Sequence, residues 1–350
     1  MKTILLTGGA GFIGSNLVRN LLESGHTIIN LDLLTYAGSL ENLKGVPSNS
    51  QYRFVHGSIG DKDLVDSLLK EHQPDAIVNV AAETHVDRSI DDPDIFIDTN
   101  IVGLHTLLRL ARYYWSGLQG DKKSGFRFLQ VSTDEVYGSV MTGLSKEDDP
   151  FRANSPYAAA KASGDLLVRS YHKTYGLPTL ITNGSNTYGP HQFPEKLIPL
   201  TILKAIAGEA LPIYGDGKNV RDWLFVEDHC RGIAHTLMAG EPGRNYNIGG
   251  SDERPNIEVV QKLCAVLDTL TPRADGAKYQ DQITYVADRP GHDFRYALDT
   301  TLAQSLGWRT QVEFSEGLET TVSWYLNNQP WCKAVAENID PLSRIGLATK

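Results

Sequence analysis

An α/β fold is expected of this chain: a doubly wound parallel sheet followed by a smaller C-terminal domain. Short apolar runs alternate with amphipathic helical stretches through the first half of its 350 residues, a glycine-rich turn follows the first run, and after Gly184 the texture changes to loops rich in Gly, Pro and aromatics. Apolar runs too short for helices and separated by helices read as strands joined by crossovers, which builds a parallel sheet covered on both faces. The length exceeds one usual core, so two domains or one elaborated domain are expected.

The elements follow in order. Residues 2–7 read as a short buried strand, and Gly8-Gly9-Ala10-Gly11-Phe12-Ile13-Gly14 follows it. Residues 15–24 have helical periodicity, with Leu17, Val18, Leu21 and Leu22 apolar and Gly25 as a stop. Residues 27–31 form the next strand, ending at Asp32. Further strands are expected at 52–56, 76–80, 127–132 and 179–183, with helices near 62–71, 101–114 and 157–175. The second half shows two helical stretches, 197–207 and 257–267. Residues 223–226 and 228–238 are read as returning to the first domain. The domains are therefore placed at 1–183 with about 221–238, then 184–335, then a tail at 336–350.

Gly8, Gly11 and Gly14 are three apart, a variant of the G-x-G-x-x-G loop. Such a turn brings backbone close to a pyrophosphate and aims helix amides at the anion. Asp32, about 20 residues downstream at a strand end, is placed to bind a ribose diol and would repel a 2′-phosphate. The expected cofactor is NAD, in preference to NADP.

Ser132-Thr133-Asp134-Glu135-Val136-Tyr137-Gly138 ends another strand, and Tyr157-Ala158-Ala159-Ala160-Lys161 opens the helix after it. Tyr157 and Lys161 are four apart and share a helix face, so the ammonium is expected to lower the phenol's pKa and make Tyr157 a base for a hydroxyl being oxidised. Asp134 and Glu135 add a second acid/base couple, more than a simple alcohol dehydrogenase needs. Two adjacent carboxyls in a partly dry pocket do not both ionise cheaply, so one acid and one base are expected.

Composition sets bounds. A net charge of −9 argues against a nucleic-acid partner. Cys230, Cys264 and Cys332 are widely spaced without a metal-ligand pattern and read as reduced structural cysteines. Glycines interrupt the N-terminal apolar run before it becomes a signal sequence, and no stretch approaches a membrane span, so a cytoplasmic enzyme is expected. No metal is expected, since no ligand cluster accompanies His85.

These motifs, with Leu31-Asp32-Leu33-Leu34-Thr35-Tyr36-Ala37-Gly38, Ala81-Ala82-Glu83-Thr84-His85-Val86-Asp87-Arg88-Ser89, Asn183-Gly184-Ser185-Asn186-Thr187-Tyr188-Gly189-Pro190, Pro194-Glu195-Lys196-Leu197-Ile198-Pro199, Asn219-Val220-Arg221-Asp222-Trp223 and Asp288-Arg289-Pro290-Gly291-His292-Asp293, resemble the extended short-chain dehydrogenase/reductases. Within them the chain is similar to the dTDP-glucose 4,6-dehydratase family over roughly residues 1–330. Sister epimerases and decarboxylases share the loop and the Tyr-x-x-x-Lys but generally lack Thr-Asp-Glu. The resemblance implies a Rossmann-type sheet and a dehydration of dTDP-glucose to the 4-keto-6-deoxy sugar on tightly bound NAD. Hydride leaves C-4, water is eliminated across C-5 and C-6, and hydride returns to C-6.

The catalytic set is then Thr133, Asp134, Glu135, Tyr157 and Lys161. Cofactor contacts are implied for Gly8, Gly11, Phe12, Ile13, Gly14, Asp32, Leu33, Thr35, Ser58, Ile59, Ala81, Ala82, Thr99, Tyr157, Lys161 and Thr187. Substrate contacts are implied for Thr84, Thr133, Asp134, Glu135, Asn186, Lys196, Leu197, Pro212, Tyr214, Arg221, Asn256, Arg289 and His292. Arg221, Arg289 and His292 are expected in polar loops, where arginine forks suit a diphosphate. Ser58, Thr187 and Phe294 depart from the family pattern, which has an aspartate, an asparagine and an arginine there. The resemblance also implies a homodimer through a four-helix interface that includes residues 101–115, and a role such as dTDP-rhamnose biosynthesis. The alternatives are another nucleotide-sugar 4,6-dehydratase or an epimerase of the same superfamily, and a non-catalytic NAD-binding sensor of the same fold. The sensor would not need the intact catalytic set.

Overall fold

The computed structural model describes residues 1–47, 50–288 and 291–336. Seven strands form the main sheet: β1 (Thr3–Thr7), β2 (Thr27–Asp32), β3 (Tyr52–His56), β4 (Ala76–Asn79), β5 (Arg127–Thr133), β6 (Thr179–Gly184) and β10 (Asn245–Ile248). Their order is β10-β6-β5-β4-β1-β2-β3, with every neighbour parallel. The strand order reverses between β1 and β4, and ligands bind at such a switch point, beyond the carboxyl ends of the strands.

Successive side chains of a strand point to opposite faces, and β1 shows the consequence. Ile4 and Leu6 join one apolar core with helices Phe12–Glu23 and Val226–Ala239, while Leu5 joins another with helices Lys62–His72, Leu104–Gly117 and Pro156–Tyr175. Each fully buried aliphatic side chain in these layers contributes about 1.5–3 kcal/mol. A third core gathers helices Leu197–Ile206, Asn256–Leu270 and Phe314–Asn327 around β8 (Leu211–Tyr214) and β9 (Val220–Phe225).

The second half is richer in strands than its loop-like texture suggested. β9 is the centre of a small sheet with β7 (Asn186–Tyr188) and β11 (Glu253–Pro255), and β8 pairs with β12 (Ile283–Val286). Residues 223–225 thus belong to the small sheet, whereas the helix after them packs against Phe12–Glu23. The helix expected from residue 101 begins at Asp94 and runs through a π-helical turn, Asp98–Gly103, before Leu104–Gly117.

Candidate active site

Helix Pro156–Tyr175 starts where its sequence directs. The Ser155 hydroxyl accepts the Ala158 N–H at 3.1 Å, Pro156 occupies the first turn, and Gly176 in the left-handed region ends the helix. This fixes Tyr157 and Lys161 under the end of β5. There the Thr133 hydroxyl accepts the Glu135 N–H at 3.3 Å, capping a short 3₁₀ turn, Asp134–Tyr137. Register does the rest: Thr133 pairs with Gly184, so the β5 turn and the segment after β6 face the same opening.

One cleft collects these groups. All the expected cofactor residues line it: Gly8, Gly11, Phe12, Ile13, Gly14, Asp32, Leu33, Thr35, Ser58, Ile59, Ala81, Ala82, Thr99, Tyr157, Lys161 and Thr187. So do Thr84, Thr133, Asp134, Glu135, Asn186 and Lys196. Leu197, Pro212, Tyr214, Arg221, Asn256 and His292 do not line it, and Arg289 lies outside the described residues.

The loop fits a dinucleotide. Gly8 has φ +74, and a Cβ there would stand 2.5 Å from the Ala81 nitrogen; a Cβ on Gly14 would run into the Gly8 carbonyl. Only glycine lets this backbone turn so tightly against β4 and leave its surface to a phosphate. Asp32 braces the turn from below, accepting the Ala10 and Leu34 N–H groups at 2.8 Å each. Its pKa is raised by burial against the pull of those two bonds. Ile59 is buried against Gly103, while the Ser58 hydroxyl accepts the Gly60 N–H at 3.0 Å, so at this departure from the family pattern the side chain closes its own turn. At the other end Thr187 pairs its hydroxyl with His229 Nδ1 at 2.8 Å. Burial lowers that imidazole to about 4, which keeps it neutral.

The catalytic set differs from expectation in its electrostatics. The Tyr157 phenol is raised, first by burial and then by Glu135 and Asp134, and hydrogen bonds to Thr84 and Thr133 only partly offset this. The lowering expected from Lys161 is therefore overruled: Lys161 gives its ammonium to the Val131 carbonyl at 2.7 Å, and burial brings it down to about 8. Asp134 is raised well above the carboxylate range by burial, then by Glu135 and Asp222, with Arg221 opposing. Its Oδ2 is buried without a hydrogen-bond partner among the described residues. A neutral Asp134 beside Glu135 is a proton donor next to an acceptor.

Arg221 is not in a loop but in β9. It is buried over the Tyr296 ring, and its guanidinium donates to the carbonyls of Val220, Asp293 and Phe294. Tyr214 donates to Asp87 at 3.0 Å, and His292 pairs with Asp288 at 2.6 Å. The Asn256 Oδ1, at the start of its helix, is buried without a hydrogen-bond partner among the described residues. Among the described residues no three His, Cys, Asp or Glu side chains gather as metal ligands.

Several cleft residues had no role assigned from the sequence: Glu83 and Glu195, which stand in the quoted motifs, and Gln192, Phe193 and His229, which were not named. Glu195 accepts from Tyr36 at 2.8 Å and pairs with Arg88 at 2.9 Å, while Arg88 stacks on the Tyr36 ring at 3.9 Å. A carboxylate adjoining Lys196 was a readable signal for Glu195; nothing local marks His229, which reaches the cleft from a helix of the opposite layer.

Comparison with known proteins agrees with this geometry. The family described as GDP-mannose 4,6 dehydratase matches residues 5–321. A dTDP-glucose 4,6-dehydratase of Xanthomonas campestris pv. campestris is 56% identical over 348 residues, covering 99% of both chains. One of Escherichia coli is 49% identical over 358 residues, covering 98% of this chain and 99% of the relative. The crystal structure of DesIV, a dTDP-glucose 4,6-dehydratase from Streptomyces venezuelae with NAD and TYD bound, superposes with a TM-score of 0.86 at 46% identity, covering 95% of this chain and 99% of that one. A glycine-loop cleft holding Tyr157, Lys161 and an Asp134–Glu135 pair, on a chain this close to those relatives along its whole length, belongs to the dTDP-glucose 4,6-dehydratase family.

Proposed function

We propose that the protein converts dTDP-glucose to dTDP-4-keto-6-deoxyglucose and water, with no net redox change. The observation that carries this is the buried carboxyl of Asp134, whose Oδ2 has no hydrogen-bond partner among the described residues, beside Glu135 in the cleft that also holds Tyr157 and Lys161. An epimerase needs only the tyrosine–lysine pair, so the acid/base couple selects the dehydration.

Bound NAD supplies a hydride acceptor at C-4 and returns the hydride to C-6. Tyr157 takes the 4-hydroxyl proton, with Thr133 and Thr84 holding the oxygens in line. Because burial and the Glu135 carboxylate oppose the phenolate, the positive charge of Lys161 is what keeps that proton transfer accessible. Once C-4 is a ketone the C-5 proton is acidic. Glu135 removes it, and Asp134 gives its own proton to the departing 6-hydroxyl, which leaves as water; Glu135 returns its proton to C-5 as hydride adds at C-6, and the proton taken up by Tyr157 restores Asp134.

The nucleotide end is assigned to the part of residues 184–335 outside the helix Val226–Ala239 and β10, which belong to the main sheet and its core rather than to a separate second domain. Lys196, Leu197, Pro212 and Tyr214 frame the base and sugar, and Arg221, Asn256, Arg289 and His292 serve the diphosphate and nucleotide. The unsatisfied Asn256 Oδ1 supports a ligand donor there. The protein is further proposed to be a cytoplasmic homodimer serving deoxysugar synthesis such as the dTDP-rhamnose route. Ile97, Val102, Tyr113 and Leu166 are exposed apolar residues on the two helical stretches of such an interface; sedimentation at micromolar concentration tests it.

The activity is tested by incubation with dTDP-glucose and measurement of the alkali-sensitive absorbance of a 4-keto sugar. Product is expected without added reductant, and UDP-glucose is expected to turn over more slowly, one methyl group being worth about 1–3 kcal/mol. Recovery of a 4-epimer instead of a keto sugar would exclude the dehydratase.

A further inference from the structure

Helix Pro156–Tyr175 carries a third ionisable residue on the face of Tyr157 and Lys161. Asp165 follows Lys161 by four positions, one turn further along the same stripe, and is fully buried. One carboxylate oxygen accepts the Ser132 hydroxyl at 2.7 Å and the Asn183 amide at 3.1 Å. The other has no hydrogen-bond partner among the described residues. The same Asn183 amide reaches the Thr133 carbonyl at 3.2 Å. A single carboxylate therefore ties together the helix of Tyr157, the end of β5 that carries Thr133, Asp134 and Glu135, and the end of β6 that leads to Asn186 and Thr187. The chemistry above leaves it without a task. A buried charge with one bare oxygen is costly and persists only where something compensates.

We propose that Asp165 is a positioning residue for the oxidation at C-4, holding Thr133 in register with Tyr157 through Ser132 and Asn183, with its carboxylate one helical turn from the Lys161 ammonium. The inference rests on the roles given above to Tyr157 and Lys161. The groups set against this pair are the Val131 carbonyl on Lys161, the Ser132 hydroxyl and the Asn183 amide on Asp165, Arg169 on the same helix and Tyr137 beyond β5, with Tyr157 one turn before Lys161. Burial lowers Lys161 to about 8 and Asp165 works against that lowering. Burial raises Asp165 to about 6, with Lys161 and then the Ser132, Asn183 and Arg169 groups opposing. Between those two values both are charged. Above the higher one Lys161 gives up its proton, and without the Asp165 charge it does so at lower pH.

The test is the pH profile of kcat/KM for dTDP-glucose in Asp165→Asn, with single-turnover NADH formation as a second readout. The alkaline limb should move down by about one unit or more, and NADH should form more slowly. Asp165→Glu should return the limb toward its original position, which a loss of packing alone does not explain. Ser132→Ala removes an anchor and keeps the charge, so it should slow NADH formation with the limb unmoved; it also carries the test if Asp165→Asn fails to fold. An unshifted limb in a folded Asp165→Asn, or a wild-type rate in Ser132→Ala, overturns the proposal. Wild-type turnover in the same assay tests the dehydratase reading separately.

Discussion

Asp134 shows what a buried carboxyl costs its fold. Burial, Glu135 and Asp222 raise its folded pKa above the unfolded value of about 3.9. The folded state then binds the extra proton, so stability present below the unfolded pKa is lost as pH rises through the folded one. Asp222, raised by burial to about 6, acts in the same direction. Asp134→Asn should therefore be more stable than wild type at pH 8, with the advantage shrinking toward pH 4, in urea melts across that range. The same variant and Glu135→Gln should accumulate enzyme-bound NADH when substrate is added, because elimination stalls after oxidation; Tyr157→Phe should show none. Asp32 is the cofactor counterpart. It joins the glycine loop to the strand that follows, so Asp32→Ala should weaken NAD binding by roughly 1–3 kcal/mol in calorimetry, and the variant should still fold. Undiminished NAD affinity would remove Asp32 from the ribose site.

Among the elements, those with local causes were legible. The Gly8–Gly14 turn and the helix read at 157–175 each follow from residues within a few positions; the Ser155 cap, the Pro156 start and the Gly176 stop that bound this helix, and the Thr133 cap at the end of β5, are equally local but were not singled out. What else escaped was decided at long range. β10 is a four-residue edge strand with two asparagines, and it is fixed at long range: it pairs with β6, more than 60 residues earlier in the sequence, and Asn247 bonds to Glu147, Ser145 and Tyr137. The π-turn at Asp98–Gly103 escaped for another reason: one wide turn shifts the phase of a helix, and a 3.6-residue period cannot register across it. That turn has work to do. Thr99 lines the cleft, and the Asn100 side chain accepts the Glu83 N–H at 2.9 Å and donates to the Glu83 carbonyl at 3.0 Å, clamping the wall between Ala81 and Thr84. Asn100→Ala leaves both buried backbone groups without that partner. It should cost about 1–3 kcal/mol per group in urea unfolding and loosen NAD as well. A stability loss with NAD affinity intact would confine Asn100 to a structural role.

At the scale of the whole molecule, the cleft depends on two halves that bury their apolar surface separately: two cores on the faces of the main sheet and a third around β8 and β9. A reaction that lends a hydride and takes it back requires NAD to stay bound between the two steps. One chain of hydrogen bonds links the third core to the cofactor loop. Trp331, on the C-terminal helix Gln329–Ala336 and packed among Trp324, Tyr325 and His191, donates its indole N–H to Asn42 Oδ1 at 2.9 Å. The Asn42 amide donates to the Ala10 carbonyl at 2.7 Å, and the Ala10 N–H donates to Asp32. Both Trp331 and Asn42 are buried, so water does not replace the bond when it is lost. Trp331→Phe keeps an aromatic ring in the core but leaves the Asn42 oxygen unsatisfied and free to turn away from the glycine loop. It should lower stability by about 1–3 kcal/mol and hasten NAD release, so that the purified protein carries less NAD while saturating NAD restores turnover. The NAD dissociation rate decides the matter, since a rate equal to wild type in the destabilised variant would leave the third core without influence on the cofactor.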